Sequence, residues 1–187
     1  MIPTPRLILA SSSPRRRELL TQAGLRFDVL PAHIDETRRD GEAPPDYVQR
    51  LALEKAHAIA ALHPEAVVLG ADTTVVLHDE VLNKPADRTE AGRMLRALSG
   101  QSHQVHTGIA IVRGNTQRQH IETTTVFFAA IPEADLSHYL DTSDSLDKAG
   151  AYGIQNYAAR WITRIEGDFF NVVGLPIAAT VRLLATI

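Results

Sequence analysis

The chain has 187 residues, of which 44% are hydrophobic and 22% charged, and its formal net charge at pH 7 is −3. This length accommodates one domain with a sizeable core, and the slightly acidic balance excludes a general basic field that would hold nucleic acid. The absence of cysteine excludes disulfides, thiolate nucleophiles and cysteine metal ligands, and is compatible with the cytoplasm. No apolar run approaches the roughly 18 residues that a membrane span needs, so we expect a soluble protein.

The first half of the chain alternates between strand and helix patterns. The apolar run RLILA predicts a buried first strand, and the residues that follow predict a helix ending near Gly24. The further predicted elements are a strand at FDVLPA, a polar loop at 35–45, a helix over 44–62, one or two strands over 66–77, a loop at 83–90 and a short helix over 91–100.

The second half of the chain is richer in paired strands. Two apolar segments flanking Gly114-Asn115, at 104–114 and 122–131, predict a hairpin. The remaining predicted elements are a helix over 132–142, a glycine-dotted loop over 147–159, a second hairpin over 161–175 and a closing helix over 176–187. Early alternation followed by paired strands predicts a single α/β domain with a mixed sheet.

Three arginines stand at the start of the first predicted helix, where the helix dipole disfavours cations. Ser13 suits the N-cap and Pro14 the first turn, and Arg15, Arg16 and Arg17 follow at once. A strand, a small-residue turn and a helix N-terminus together form an anion site. The arginines therefore belong either to a solvated basic turn or to a phosphate site, and the hydroxyls of the preceding serines favour the phosphate site.

Lys55 falls within the apolar stripe of the second predicted helix. The apolar members of that stripe are Tyr47, Val48, Leu51, Ile59 and Leu62. An unpaired buried ammonium is costly, so the lysine must reach solvent, pair with a carboxylate elsewhere in the fold, or bind an anion.

Three further charged positions are candidates for chemistry. Asp72 follows the apolar run AVVLGA, so we expect it at the carboxyl end of a strand, where it either binds a divalent cation, takes a proton from water, or only caps a turn. The neighbouring acids Asp35 and Glu36 form either a metal ligand set or a solvated loop, and Lys84 in NKP is equally open. The eight histidines show no metal-binding spacing.

The segment KAGAYGIQN, residues 148–156, surrounds the amide of Gln155 with small residues. Glycines allow the backbone to approach a ligand closely, although an ordinary irregular loop has the same composition.

Taken together, these motifs resemble the Maf family of nucleotide pyrophosphatases. The matching segments, in order between residues 7 and 176, include LASSSPRRRELL, DE, LEKA, LGADTTVV, VLNKP, HQVHTGIAI, DKAGAYGIQ and GDFFNVVGLP. The resemblance implies one Maf-like domain over residues 1–187, with a mixed central sheet flanked by helices and two lobes separated by a cleft, as in inosine triphosphatases. It also implies metal-dependent hydrolysis of nucleoside triphosphates to the monophosphate and pyrophosphate.

The resemblance assigns a role to each matching residue. It makes Asp72 the catalytic base and Glu36 the second acid, and both would hold the divalent cation, magnesium or manganese. The residues expected to contact the phosphates are Lys55, Lys84, Arg15, Ser11 and Ser13. The residues that match the dTTP/UTP branch of the family, rather than the branch acting on 7-methyl-GTP, are Arg15, Thr73 and Gln155.

One position departs from the family pattern, because Asn156 and Tyr157 follow YGIQ where this branch usually continues with glycine. Asn tolerates left-handed backbone conformations, so the loop is expected to keep its form. The alternatives to a dTTP/UTP pyrophosphatase are a nucleotide-binding regulator of cell division and septum formation, and a pyrophosphatase of 7-methyl-GTP or inosine triphosphate. The expected partner is the nucleoside triphosphate, with a homodimer as a further candidate assembly and no stable binding of nucleic acid.

Overall fold

The computed structural model describes residues 5–187. Its strands are β1 (Leu7–Leu9), β2 (Asp28–Val29), β3 (Val67–Leu77), β4 (Glu80–Leu82), β5 (Ser102–Arg113), β6 (Thr116–Phe128) and β7 (Ile162–Glu166). Its α-helices are α1 (Pro14–Gln22), α2 (Pro44–Ala60), α3 (Arg88–Leu98), α4 (Glu133–Leu140), α5 (Phe169–Val173) and α6 (Ile177–Leu184). Three short 3-10 turns lie between α4 and β7, at Ser143–Ser145, Ala149–Ala151 and Tyr157–Trp161.

The strands form a mixed sheet in the order β2-β1-β3-β5-β6-β7, and β4 pairs with β3 off this path. β1 pairs in parallel with both β2 and β3, whereas β3 with β4 and β6 with β7 are antiparallel. The predicted α/β fold with a mixed central sheet is therefore confirmed. Within residues 5–187, every helix is too short or too polar to cross a bilayer.

The described residues form two compact units. The first unit contains the described residues up to Asp72 together with 107–122 and 174–187, and the second contains 73–106 and 123–173. The strands β3, β5 and β6 contribute residues to both units. The cleft between two lobes stays a prediction.

In the first unit, α2 lies directly on the sheet because two glycines leave room for its backbone. A Cβ atom on Gly70 of β3 would stand 2.1 Å from the carbonyl oxygen of Ala52, and one on Gly108 of β5 would stand 2.5 Å from that of Val48. Real Cβ atoms do not approach so closely. The core between helix and sheet is built from small and β-branched side chains, including Ile8, Ala10, Ala52, Ala56, Val68 and Ala110.

In the second unit, the core is aromatic. Phe128 packs edge-on against both His103 and Tyr152, and Trp161 packs edge-on against Tyr139. The His103 imidazole shares a hydrogen bond of 2.7 Å with the Tyr152 hydroxyl, and burial lowers the pKa of His103 to about 4. His103 therefore belongs to this core, as a neutral side chain at pH 7.

The predicted second hairpin over 161–175 is wrong in its second half. β7 ends at Glu166 and pairs with β6, and the chain then turns through Gly167, whose φ of 126° is unfavourable for other residues. The Asp168 carboxylate accepts hydrogen bonds from the amides of Phe170 and Asn171, at 2.7 and 3.3 Å, and so satisfies the first turn of α5. A helix start therefore stands where the apolar residues indicated a strand.

Two smaller differences also concern element boundaries. The strand β4 was not predicted, because its three residues follow a turn in which His78 and Asp79 adopt positive φ. The helix α2 ends at Ala60, so Leu62 does not belong to its apolar stripe and is 72% exposed.

Candidate functional site

The start of α1 is built around one buried arginine. The Ser13 hydroxyl accepts a hydrogen bond from the Arg16 amide at 3.4 Å, which confirms Ser13 as the N-cap. The Arg16 guanidinium donates to the carbonyl oxygens of Gly174 and Ala71, both at 2.8 Å, and to the Ser11 hydroxyl at 3.1 Å. Burial lowers the pKa of Arg16, and the negative charge of Asp72 opposes this effect. One of the three arginines is thus a fixed internal cation.

The other candidates at this helix start lie around Arg16. Ser11 is buried, and its hydroxyl also accepts a hydrogen bond from the Ser13 amide at 3.2 Å. Arg15 is half-buried, and Arg17 is exposed. Sequence reasoning chose Arg15 and missed Arg16, because three consecutive arginines point in different directions around a helix and only packing decides which one faces inward.

Asp72 does not end its strand as expected. The parallel pairing of β3 with β1 stops at Leu69, but β3 continues past Asp72 and pairs with β4 from Val75 to Leu77. Asp72 therefore lies beyond the carboxyl end of β1, within a long strand. Its side chain is 14% exposed.

Lys55 joins the two candidate acids. Its ammonium donates to Asp72 Oδ1 at 2.6 Å and forms an ion pair with Glu36 Oε1 at 2.8 Å. The side chains of Lys55 and Asp72 are 9% and 14% exposed, whereas that of Glu36 is 58% exposed. Of the three alternatives drawn from the helical pattern, the structure shows the pairing with carboxylates. We call Glu36, Lys55 and Asp72 the charged triad.

The loop that carries Glu36 is ordered by its own contacts. The Tyr47 hydroxyl of α2 donates to the Glu36 carbonyl at 2.9 Å. Arg50, one turn further along α2, donates to both carboxylate oxygens of Glu42 at 2.6 and 2.8 Å and to the Thr37 carbonyl at 3.1 Å. These hydrogen bonds from Arg50 hold the pKa of Glu42 at about 2. These hydrogen bonds from α2 hold the charge-rich loop, and with it the backbone of Glu36, in a defined position.

Asp35, the neighbour of Glu36, contributes to the same loop in a different way. Its exposed carboxylate accepts a hydrogen bond from the Thr37 amide at 2.9 Å, and hydrogen bonding by the side chain and then the backbone amide of Thr37 lowers the pKa of Asp35. Only the second acid of the DE pair is in the charged triad.

Three predicted site residues belong to the second unit. Thr73 follows Asp72 on β3 and is half-buried. Lys84 is exposed in the segment that follows β4, and Gln155 is exposed between the second and third 3-10 turns. The first unit thus brings together the charged triad, Arg16 and Ser11.

The donor set of the triad suits a hard divalent cation. Glu36 and Asp72 supply carboxylate oxygens that converge on one point, which the Lys55 ammonium holds. Among the described residues, no group of three or more His, Cys, Asp or Glu side chains is arranged to hold a metal ion. Mg²⁺ is commonly bound by one or two carboxylates together with substrate phosphates, and this set fits that mode.

Comparison with known proteins identifies the family. Residues 6–187 match the family model described as Maf-like protein, so the chain belongs to this family and the resemblance indicated by its motifs is confirmed. A relative from Koribacter versatilis, named dTTP/UTP pyrophosphatase, is 52% identical over 95% of this chain and 92% of its own length. A relative of the same name from Symbiobacterium thermophilum is 53% identical over the same shares of the two chains.

Among solved structures, a HAM1 protein from Coxiella burnetii has a similar fold. The match has a TM-score of 0.55 and covers 98% of this chain and 100% of that one, at 16% sequence identity. This likeness concerns the fold alone.

Proposed function

We propose that this protein is a nucleoside triphosphate pyrophosphatase that hydrolyses dTTP and UTP to the monophosphate and pyrophosphate. The name shared by relatives at about half identity supports this proposal. The structural observation that carries it is the charged triad, in which a buried lysine holds two carboxylates beside the internal cation Arg16. Such a cluster supplies both the cations and the acids that a metal-bound triphosphate requires.

In the proposed reaction, Asp72 accepts a proton from the attacking water. The water oxygen bonds to the α-phosphorus as the bond from that phosphorus to the bridging oxygen of the β-phosphate breaks, and pyrophosphate leaves with the bonding electrons. A bound magnesium or manganese ion, held by Asp72 and Glu36, would supply positive charge that offsets the charge of the phosphates. Arg16, fixed by three acceptors, keeps a positive charge near Asp72 throughout.

Lys55 changes partners in this proposal. Without ligand its ammonium neutralises the two carboxylates, and with a triphosphate in place it turns to a phosphate oxygen. The other proposed phosphate contacts are Lys84, Arg15, Ser11 and Ser13. Arginine and lysine near a helix N-terminus suit an anion because the dipole and the side chains then act in the same direction.

Base choice is assigned to Gln155, with Thr73 and Arg15 as further specificity residues. Uracil and thymine present an acceptor at O4 beside a donor at N3, and one side-chain amide complements this pair. Cytosine presents the reversed pair, so selectivity requires that the amide be held in one orientation. A polar site of this kind rejects a mismatched base by leaving buried groups unpaired.

The wider organisation of the protein is also part of this proposal. We expect a single Maf-like domain over residues 1–187, a location in the cytoplasm, and a homodimer as a candidate assembly. The strands shared by both units support the single domain.

The decisive experiment is a nucleotide panel assayed for pyrophosphate with saturating Mg²⁺. We expect UTP and dTTP to exceed CTP, and to exceed ATP and GTP by a wide margin. A higher kcat/KM for 7-methyl-GTP or inosine triphosphate would favour the alternative pyrophosphatases, and binding without turnover would favour a regulator. Release of orthophosphate in place of pyrophosphate would place the cleavage at a different bond.

The role of Asp72 has its own test. Asp72→Asn preserves the shape of the side chain and removes the base, so kcat should fall by about 10² to 10⁴. Asp40→Asn, which changes an exposed carboxylate of the loop that carries Glu36, is the matched control and should keep normal turnover. Near-normal kcat in the Asp72 variant would exclude Asp72 as the base.

A further inference from the structure

Asn156, the position that departs from the family pattern, is exposed, and its side chain is tied to a polar cluster of the second unit in which Lys148 and Tyr139 are buried. Its side-chain amide donates to Asp144 Oδ1 at 2.7 Å. The same oxygen accepts from the Lys148 ammonium at 2.8 Å, and the Tyr139 hydroxyl donates to Asp144 Oδ2 at 3.1 Å. Burial raises and these hydrogen bonds lower the pKa of Asp144, and the net effect is a lowered pKa. Asp144 is thus an ionised anchor with three donors.

The segment Gly153–Asn156, which carries Gln155, is fixed at both ends by this cluster. At its start, the stem of Lys148 occupies the space beside Gly153, where a Cβ would stand 2.8 Å from Lys148 Cε. At its end, the Asn156 side chain donates to Asp144, and the backbone N–H of Asn156 donates to the Gly153 carbonyl at 3.2 Å. Between these ends Ile154 is buried and Gln155 is exposed.

Lys148 cannot readily move to release the segment. Its side chain is 8% exposed, and its ammonium donates to the Asp144 carbonyl at 2.7 Å and to Asp147 Oδ1 at 2.5 Å in addition to Asp144 Oδ1. A buried ammonium with this many acceptors is costly to unpair. The support beneath the Gln155 segment is therefore rigid, and Asn156 is the link between that support and the segment.

We propose that Asn156 is a positioning residue for base selection, which holds Gln155 in place through Asp144. The inference rests on the proposed function, because it concerns how Gln155 distinguishes uracil from cytosine. The backbone of Asn156 has a φ of −109°, so the left-handed conformation considered for this position is not adopted, and Asn156 contributes a side-chain tether instead. Without the tether, the segment has more conformations and the Gln155 amide turns to suit either base.

The test is the ratio of kcat/KM for UTP to that for CTP. Loss of this exposed hydrogen bond to a charged acceptor should lower the ratio by about threefold in Asn156→Ala, with a smaller change in kcat at saturating UTP. The matched control is Asn115→Ala, in the exposed turn between β5 and β6, which should keep the wild-type ratio. Melting temperatures of both variants show whether they remain folded.

Two further variants separate positioning from general stability. In Gln155→Ala, addition of Asn156→Ala should leave the ratio unchanged, because the tether acts through the missing amide. Asn156→Gln, which keeps a side-chain amide able to reach the Asp144 carboxylate and leaves the Lys148 contacts intact, should restore part of the ratio lost in Asn156→Ala.

The outcomes distinguish this inference from the proposed function. If the wild type releases no pyrophosphate from UTP, the proposed function fails. If the wild type prefers UTP to CTP but Asn156→Ala keeps the same ratio while folded, the positioning role is refuted and the proposed function stands. An equal further loss when Asn156→Ala is added to Gln155→Ala would also refute the positioning role.

Discussion

The strength of the link between Lys55 and Asp72 can be measured in the ligand-free protein. The apolar pattern of α2 left open whether Lys55 reaches solvent, pairs with a carboxylate or binds an anion, and the structure pairs its ammonium with Asp72 at 2.6 Å and with Glu36 at 2.8 Å. Removal of the lysine by Lys55→Met leaves two carboxylates together, and removal of the acid by Asp72→Asn leaves a buried ammonium. Each single change should therefore destabilise the protein, and the double change should cost less than their sum.

The exposures of the three side chains set the magnitude. Removal of one partner of a buried ion pair costs about 3–5 kcal/mol, but an exposed pair contributes only about 0–1 kcal/mol. The Glu36 side chain is more than half exposed. In Lys55→Met it can therefore move into solvent, away from Asp72. In Asp72→Asn it neutralises the buried Lys55 ammonium only weakly. Arg16 also remains near Asp72. We therefore expect each single variant to lose about 1–3 kcal/mol, with a coupling free energy of about 1–2 kcal/mol between the two positions.

Chemical denaturation of the wild type, both single variants and the double variant at pH 7 gives these free energies of unfolding. For a chain of this size, 1 kcal/mol corresponds to about 2–4 °C in the melting temperature, which provides a second readout. Because the pair is mostly buried, the coupling should persist at high salt. Additive losses, or a coupling that disappears in 1 M salt, would refute the view that Lys55 and Asp72 form a buried pair before ligand binds.

Three further predictions concern other parts of the protein. The Lys55 ammonium occupies both carboxylates, so Lys55→Met should bind Mn²⁺ without nucleotide roughly tenfold more tightly than wild type. Electron paramagnetic resonance of the free ion measures this affinity, and equal affinity in the two proteins would contradict the prediction. The pKa of His103 is lowered to about 4, so its contribution to stability is complete above the unfolded pKa near 6.5 and is lost as the pH falls towards 4. Between pH 7.5 and 5, wild type should therefore lose about 2 kcal/mol more unfolding free energy than His103→Gln, and parallel losses would contradict this. Glu42→Gln weakens the brace from Arg50 and should lower kcat for UTP several-fold through misplacement of Glu36, with pyrophosphate release as the assay; an unchanged kcat would show that the brace does not act on catalysis.

Much of the fold follows from local patterns alone. The N-cap at Ser13, the proline in the first turn and the apolar spacing of α2 each act within one or two turns of chain, so their outcome is readable without tertiary contacts. The same holds for the hairpin of β5 and β6 around Gly114. Lys55 and Asp72 were also identified from local context, because a charge within or directly after an apolar run requires a partner, whereas the family resemblance selected Glu36 in its polar loop.

Tertiary packing decided the rest. Which arginine of α1 faces inward depends on the acceptors that surround the helix, and the carbonyls of Ala71 and Gly174, which bind Arg16, come from distant parts of the chain. The partners of Lys55 likewise depend on the close approach of α2 to β3 at Gly70. Nothing in the local sequence distinguishes this glycine from others in the chain. The failed hairpin has a different and local cause, since Phe169 and Phe170 are apolar in any conformation and the turn at Gly167 and the carboxylate of Asp168 direct them into a helix. Local patterns indicate which groups need partners, but the identity of a distant partner depends on how the backbone packs.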